Sequence, residues 1–136
     1  MTEILLAIHT LLLAPKVDKS VAELALQVRL RESERNPYWV YFMGKGKSPA
    51  IEVDFRESLS STAWLLALRF DIEKSPRRAE VPLDQYGPVI SLEPNPQIPP
   101  EGTTTYVYRC NGIRISFSFT SKSDKLCQIV LRRDLP

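Results

Sequence analysis

The chain has 136 residues, with 18 Lys and Arg against 16 Asp and Glu, and a formal net charge of +2. That length suits one domain, and a hydrophobic share of 43% with 25% charged residues excludes a disordered polyelectrolyte. So small a net charge also argues against the long-range attraction on which nucleic-acid binders rely. The expected fold class is α+β: an N-terminal helix, or two, packed on an antiparallel sheet of about six strands. The single domain 1–136 divides into a helical part (1–35), a first meander (38–71), a proline-rich connection (73–102) and a second meander (103–133).

Ile4 to Ala14 is almost wholly apolar. It lacks the basic flank and cleavage pattern of a signal peptide, and it is far shorter than the ~20 residues of a membrane span. It reads as a core helix, which makes a cytoplasmic location the expectation. Thr2 suits its N-cap and Glu3 the positive end of its dipole. Pro15 stops it after Leu13. Leu5, Ile8 and Leu12 share one face, and Leu6 and Leu13 another, which predicts apolar cover on both sides. Ser20 and Glu23 have capping-box spacing, so a second helix is expected from Val21 to about Leu30. Alternation of Leu24, Leu26, Val28 and Leu30 leaves a strand as the competing reading. The alternating charges of Arg29 to Arg35 suit a solvated face or loop.

From Tyr38 the period changes to two. Tyr38–Met43 is aromatic and β-branched, and Gly44 to Pro49 is a turn. Ile51, Val53 and Phe55 then alternate with Glu52, Asp54 and Arg56, as in a strand with one face to the core. After a turn at Ser58–Thr62, Trp64, Leu66, Leu68 and Phe70 line one face of a third strand. Prolines dominate the stretch from Glu73 to Glu101, where Val89–Leu92 suits a short edge strand and Pro94–Pro100 an extended loop. Asn111-Gly112 is a strong hairpin signal, because both residues tolerate the positive φ of a type I′ turn. A two-residue loop pairs Cys110 with Ile113, Tyr108 with Ile115 and Tyr106 with Phe117, all on one apolar face. Lys122–Lys125 turns the chain into a last strand with Cys127, Ile129 and Leu131 on one side. The two strand groups resemble each other. That likeness fits a duplication, and equally the shared alternation of any two antiparallel meanders.

No catalytic constellation emerges. His9, the only histidine, lies in the apolar helix with no nucleophile or orienting acid placed beside it. Cys110 and Cys127 sit in apolar strands, have no CxxC spacing, and read as core filler rather than nucleophiles or a disulfide pair. Glu52 and Asp54, with Glu57 just beyond, read as solvated acids on an outer strand face. Gly44-Lys45-Gly46-Lys47-Ser48 lacks the spacing and the following helix of a phosphate loop. The doublets Arg77-Arg78 and Arg132-Arg133 are interspersed with acids and do not form a nucleic-acid stripe. No catalytic residue, metal ligand or cofactor is expected, and no membrane contact.

Asn111 to Phe119, the polar turn and Lys125 to Leu131 resemble the closing hairpin of many small bacterial immunity proteins. A helix ahead of a meander fits as well. The resemblance covers roughly a third of the chain and is one of alternation and turns, so it carries over no binding residue. It implies a non-enzymatic inhibitor that neutralises a cognate toxin, of contact-dependent or type VI systems, by direct binding. The residues expected to contact such a protein partner are the large side chains that anchor interfaces: Trp39 and Tyr41 on the first strand, and Arg77, Arg78 and Tyr86 in the irregular stretch. The alternatives are a chaperone or adaptor for a secreted effector, against which a pI of about 8.6 counts, and a small ligand-binding domain.

Overall fold

The computed structural model describes residues 1–134. The alternating segments form one eight-stranded antiparallel sheet: β1 (Arg31–Arg35), β2 (Trp39–Lys45), β3 (Ala50–Ser58), β4 (Trp64–Phe70), β5 (Ser91–Asn95), β6 (Thr103–Cys110), β7 (Ile113–Thr120) and β8 (Leu126–Arg133). Their spatial order is β1-β2-β3-β4-β8-β7-β6-β5. Eight strands replace the expected six or so, and the two additional ones are the edges. β1 is Arg-Glu-Ser-Glu-Arg, exposed throughout, where a solvated face or loop is expected. β5 is Ser-Leu-Glu-Pro-Asn: the edge strand expected at Val89–Leu92 starts later, leaving out Val89 and Ile90, and takes in Pro94 and Asn95 from the expected loop. Charges, a proline and a bulge between Glu32 and Glu34 are devices that blunt an edge against further pairing, and they also remove the period-two signal.

The order reads the same from either edge once β5–β8 are set upon β1–β4, and the register follows. Phe42 faces Phe55, and Phe55 faces Leu66, in the first half. Tyr106 faces Phe117, and Phe117 faces Ile129, in the second. At the seam Leu66 faces Leu131 and Leu68 faces Ile129. A half-turn about the point between Ala67 and Val130 therefore carries each ladder onto its counterpart.

Two helices lie on one face of this sheet, α1 (Thr2–Leu13) and α2 (Lys19–Leu26). α1 buries Ile4, Ile8, Leu11 and Leu12 in one cluster with Phe42, Phe55, Trp64, Leu66, Leu68, Ile115, Phe117 and Leu131. Its outer side leaves Leu6 and Leu13 exposed, so the expected apolar cover on both sides is absent. Thr2 is the first helical residue, and Met1, without a side-chain bond, is the cap. The second helix opens earlier than expected. Asp18 is its cap, accepting from the Val21 N–H at 3.0 Å, and Glu57 accepts from the Lys19 N–H at 3.1 Å. It also closes earlier, at Gln27, whose φ of 55° is left-handed. Glu23 turns to the Leu30 N–H instead of a capping box.

Three short 3-10 turns (Ile72–Lys74, Arg78–Glu80, Leu83–Tyr86) cover the same face over the second half, before β5, as the helices do before β1. Tyr86 packs on Tyr108 and Phe117, with His9 of α1 edge-on at 5.7 Å. The Asn-Gly hairpin forms in the expected register, with φ of 50° at Asn111 and 75° at Gly112. Asn111 also donates from Nδ2 to the Leu12 carbonyl at 3.1 Å, which ties this turn to the end of α1.

Two bulges shift side chains from their expected faces. The irregularity between Ala50 and Glu52 leaves Ile51 exposed while Val53 and Phe55 stay in the core. On β8, Ser118 pairs with Gln128 and Phe119 with Leu126, so Cys127 is the extra residue. Leu126 takes the core position expected for Cys127, and the thiol donates to the Ser118 carbonyl at 3.2 Å.

Candidate functional site

Among the described residues, no helix covers the strand faces opposite α1 and α2; the β5–β6 connection, with Ile98 and Pro99, overlies only one end of them, where Thr103, Val107, Ser118 and Thr120 are buried. Alternation assigns that face to Trp39, Tyr41 and Met43 of β2, because Val40 and Phe42 point into the core. Tyr41 lies opposite Arg56, Arg56 opposite Leu65, Leu65 opposite Arg132, Arg132 opposite Arg114, and Arg114 opposite Arg109. With Glu34 of β1 opposite Tyr41, the row from β1 to β6 thus reads Glu-Tyr-Arg-Leu-Arg-Arg-Arg.

Trp39 and Tyr41 are half-buried, with Arg56 between them. The Arg56 guanidinium carbon is 5.4 Å from the Trp39 ring centre and 5.8 Å from that of Tyr41. Its Nε is buried without an acceptor. A guanidinium held by two aromatic quadrupoles is a rigid cation, with its remaining N–H groups available to a partner. Met43 is 40% exposed beside this cluster. Along the next rows Arg69 pairs with Glu52 at 2.7 Å and Arg114 with Glu93 at 3.1 Å. Burial, and then the charge of Glu52, raise the carboxyl pKa of Asp54, while Arg56 pulls the other way. Glu57, just beyond these acids in sequence, is not one more solvated carboxylate: it lies in the core-side row with Val40 and Trp64 and caps α2.

The other expected contact residues do not join this cluster. Arg77 and Arg78 lie in the 3-10 segment on the covered side. Arg77 bridges to Lys125, while Arg78 pairs with Asp124 at 3.4 Å and stacks over Tyr106 at 5.5 Å. Tyr86 is 3% exposed, beneath the surface, so a partner cannot reach its ring. An aromatic in a proline-rich stretch suggests a loop tip, but here it closes the second half of the core. The residues that sequence reasoning missed are Arg56, Arg109, Arg114 and Arg132. They stand on four different strands, and only the pairing register, including the distant β4–β8 seam, aligns them.

The cysteines occupy separate environments. The Cys110 thiol donates to the Tyr86 carbonyl at 3.3 Å on the helix side, and Cys127 lies in its bulge. Desolvation raises both thiol pKa values, which disfavours the thiolate nucleophile. A groove of about 690 Å³ runs past Cys127, between Ile98 and Pro99 of the β5–β6 connection and the hydroxyls of Thr105 and Ser118. Among the described residues, no group of three or more His, Cys, Asp or Glu is arranged to hold a metal ion, and no helix is long and apolar enough to cross a membrane. No protein-family profile, curated protein or solved structure matches this chain.

Proposed function

We propose that this chain is a non-catalytic inhibitor that binds one protein partner through its open sheet face, most concretely an immunity protein acting on a cognate toxin in the cytoplasm. The observation that supports this reading is the cluster of Trp39, Tyr41 and Arg56. Tryptophan, tyrosine and arginine are the residues that most often anchor protein interfaces. Here they are stacked on adjacent strands of a sheet whose other face is packed, so their geometry is set before a partner arrives. Binding then costs little side-chain ordering.

The test is affinity capture from lysate of the native host, with the wild-type chain and a Trp39→Ser/Tyr41→Ser variant as parallel baits. The captured protein is then expressed alone and together with this chain. The reading expects one stoichiometric partner, retained at least about tenfold better by the wild type, that arrests growth alone and is harmless in co-expression. Failure to capture a partner, equal capture by both baits, or a partner harmless by itself would overturn it.

The groove at Cys127 favours a second reading, a small ligand-binding domain, since apolar walls and a few hydroxyls are usual in such sites. A metabolite that raises the Tm, with the effect abolished by Ser118→Phe, would support that alternative.

A further inference from the structure

We infer that the arginine row on the open face is the recognition surface for an acidic patch of the partner protein, with the guanidinium groups meeting carboxylates. This rests on the reading that the chain binds a protein. The row sets Arg132 directly opposite Arg114, and Arg114 directly opposite Arg109, on the adjacent strands β8, β7 and β6. Like charges directly opposite one another in an antiparallel pair are destabilising. The fold supplies two partial remedies at the surface, Asp134 to Arg132 at 3.1 Å and Glu93 to Arg114 at 3.1 Å. Such exposed pairs are screened and weak. Arg109 is exposed, and among the described residues neither Arg109 nor Arg56 has a carboxylate within ion-pair distance. From β3 to β6 the row crosses four inter-strand steps of ~4.8 Å, about 19 Å in all.

A row of forked, permanently charged donors matches carboxylates in geometry and in sign. It therefore selects a partner surface dense in Asp and Glu, and opposes one that itself binds polyanions. A nucleic-acid strand suits the face less well. Binding without sequence preference calls for open aromatic faces and a continuous positive groove. Here Arg56 already sits against both rings, and the neighbouring rows carry Asp54, Glu52 and Glu93.

The test uses two fluorescein-labelled probes of matched length, dodecaglutamate and a twelve-residue thymidine oligonucleotide, titrated by anisotropy at about 20 and about 150 mM salt. The wild-type chain is compared with Arg109→Gln/Arg114→Gln, and with Lys74→Gln/Arg77→Gln, which removes the same charge on the covered side. Tm values confirm that all three are folded. The expected result is a salt-sensitive complex with dodecaglutamate that weakens at least about tenfold in the row variant and less than about twofold in the control. Absence of dodecaglutamate binding at low salt, equal loss in both variants, or tighter binding of the oligonucleotide would each overturn the assignment. Because the probe needs no toxin, failure here leaves the lysate test of the inhibitor reading untouched. If the row variant does not fold, Arg109→Gln alone, at an exposed position, gives the same comparison.

Discussion

Tyr86 shows what one residue can contribute when its two ends want different surroundings. Its ring completes the aromatic cluster with His9, Tyr108 and Phe117, while its hydroxyl is buried without a hydrogen-bond partner; Gln85 is near but not in bonding geometry. Desolvation pushes its pKa up to about 12. The sign of the pH dependence follows from linkage. Between the unfolded value near 10 and the folded value, the unfolded chain releases the proton and the folded chain keeps it. The stability contributed by the neutral phenol is therefore complete below about pH 10 and is lost as pH rises toward about 12, to the extent of roughly 2 kcal/mol. Tyr86→Phe keeps the ring and removes the unpaired hydroxyl. It is expected to be neutral or stabilising by up to about 1 kcal/mol at pH 7, and to flatten the alkaline fall. Urea midpoints at pH 7, 9 and 11 measure both. A loss of more than about 1 kcal/mol at pH 7 would mean that the hydroxyl has a bound partner.

At the scale of elements, the Asn111-Gly112 hairpin shows why some of the fold is plain in the sequence. Turn chemistry and alternation specify the same register, and the contact is local. The further bond from Asn111 to Leu12, 99 residues away in sequence, lies beyond any local rule. Substitutions separate the two roles. Asn111→Gly keeps a residue that accepts positive φ and loses the bond to Leu12, with an expected cost of about 0.5–1.5 kcal/mol. Asn111→Ala loses both, and about 1 kcal/mol more. Chemical denaturation orders the three proteins, and equal stability of Ala and Gly would show that the turn does not hold its left-handed geometry. The same distinction explains the rest of the reading. β2, β3, β4, β6 and β7 declare themselves because each has one face in the core. β1 does not, because an edge strand is safest when it looks unlike a strand, and β5 does so only in part: the edge strand expected at Val89–Leu92 begins at Ser91 and runs on through Pro94. The bulge at Cys127 and the αL end of α2 at Gln27 turn on backbone geometry that no spacing announces. Trp39 and Tyr41 were legible as candidate contacts because they are large interface-type side chains; which face of β2 meets the core was not, and it is the packing of Val40 and Phe42 that leaves them outside. Arg56, Arg109, Arg114 and Arg132 were not, because their alignment exists only after four ladders and the seam have formed.

The whole molecule is two four-strand halves joined at β4 and β8, and its cooperativity depends on what crosses that seam. Leu66, Leu68, Ile129 and Leu131 interlock there, each at most 1% exposed. Above the sheet, α1 reaches across to the second half through His9 on Tyr86 and through the Leu12 carbonyl, which accepts from Asn111. Neither half has a separate apolar face, since one buried cluster holds residues of both. The halves are therefore expected to unfold together. The chain carries its own reporters once Tyr38 and Tyr41, beside and within β2, are replaced by Phe: Trp39 and Trp64 then report on the first half, and Tyr86, Tyr106 and Tyr108 on the second half or its cover. Tryptophan fluorescence, tyrosine near-ultraviolet absorbance and far-ultraviolet circular dichroism should give one coincident urea transition. Leu68→Ala, which opens a cavity at the seam, should lower stability by about 2–5 kcal/mol and shift all three signals equally. If the tyrosine signal instead kept its midpoint while the tryptophan signal moved, the second half would be holding its structure alone. The register symmetry would then reflect two self-sufficient units joined side by side, and the arginine row, which spans both, would exist only while the seam is closed.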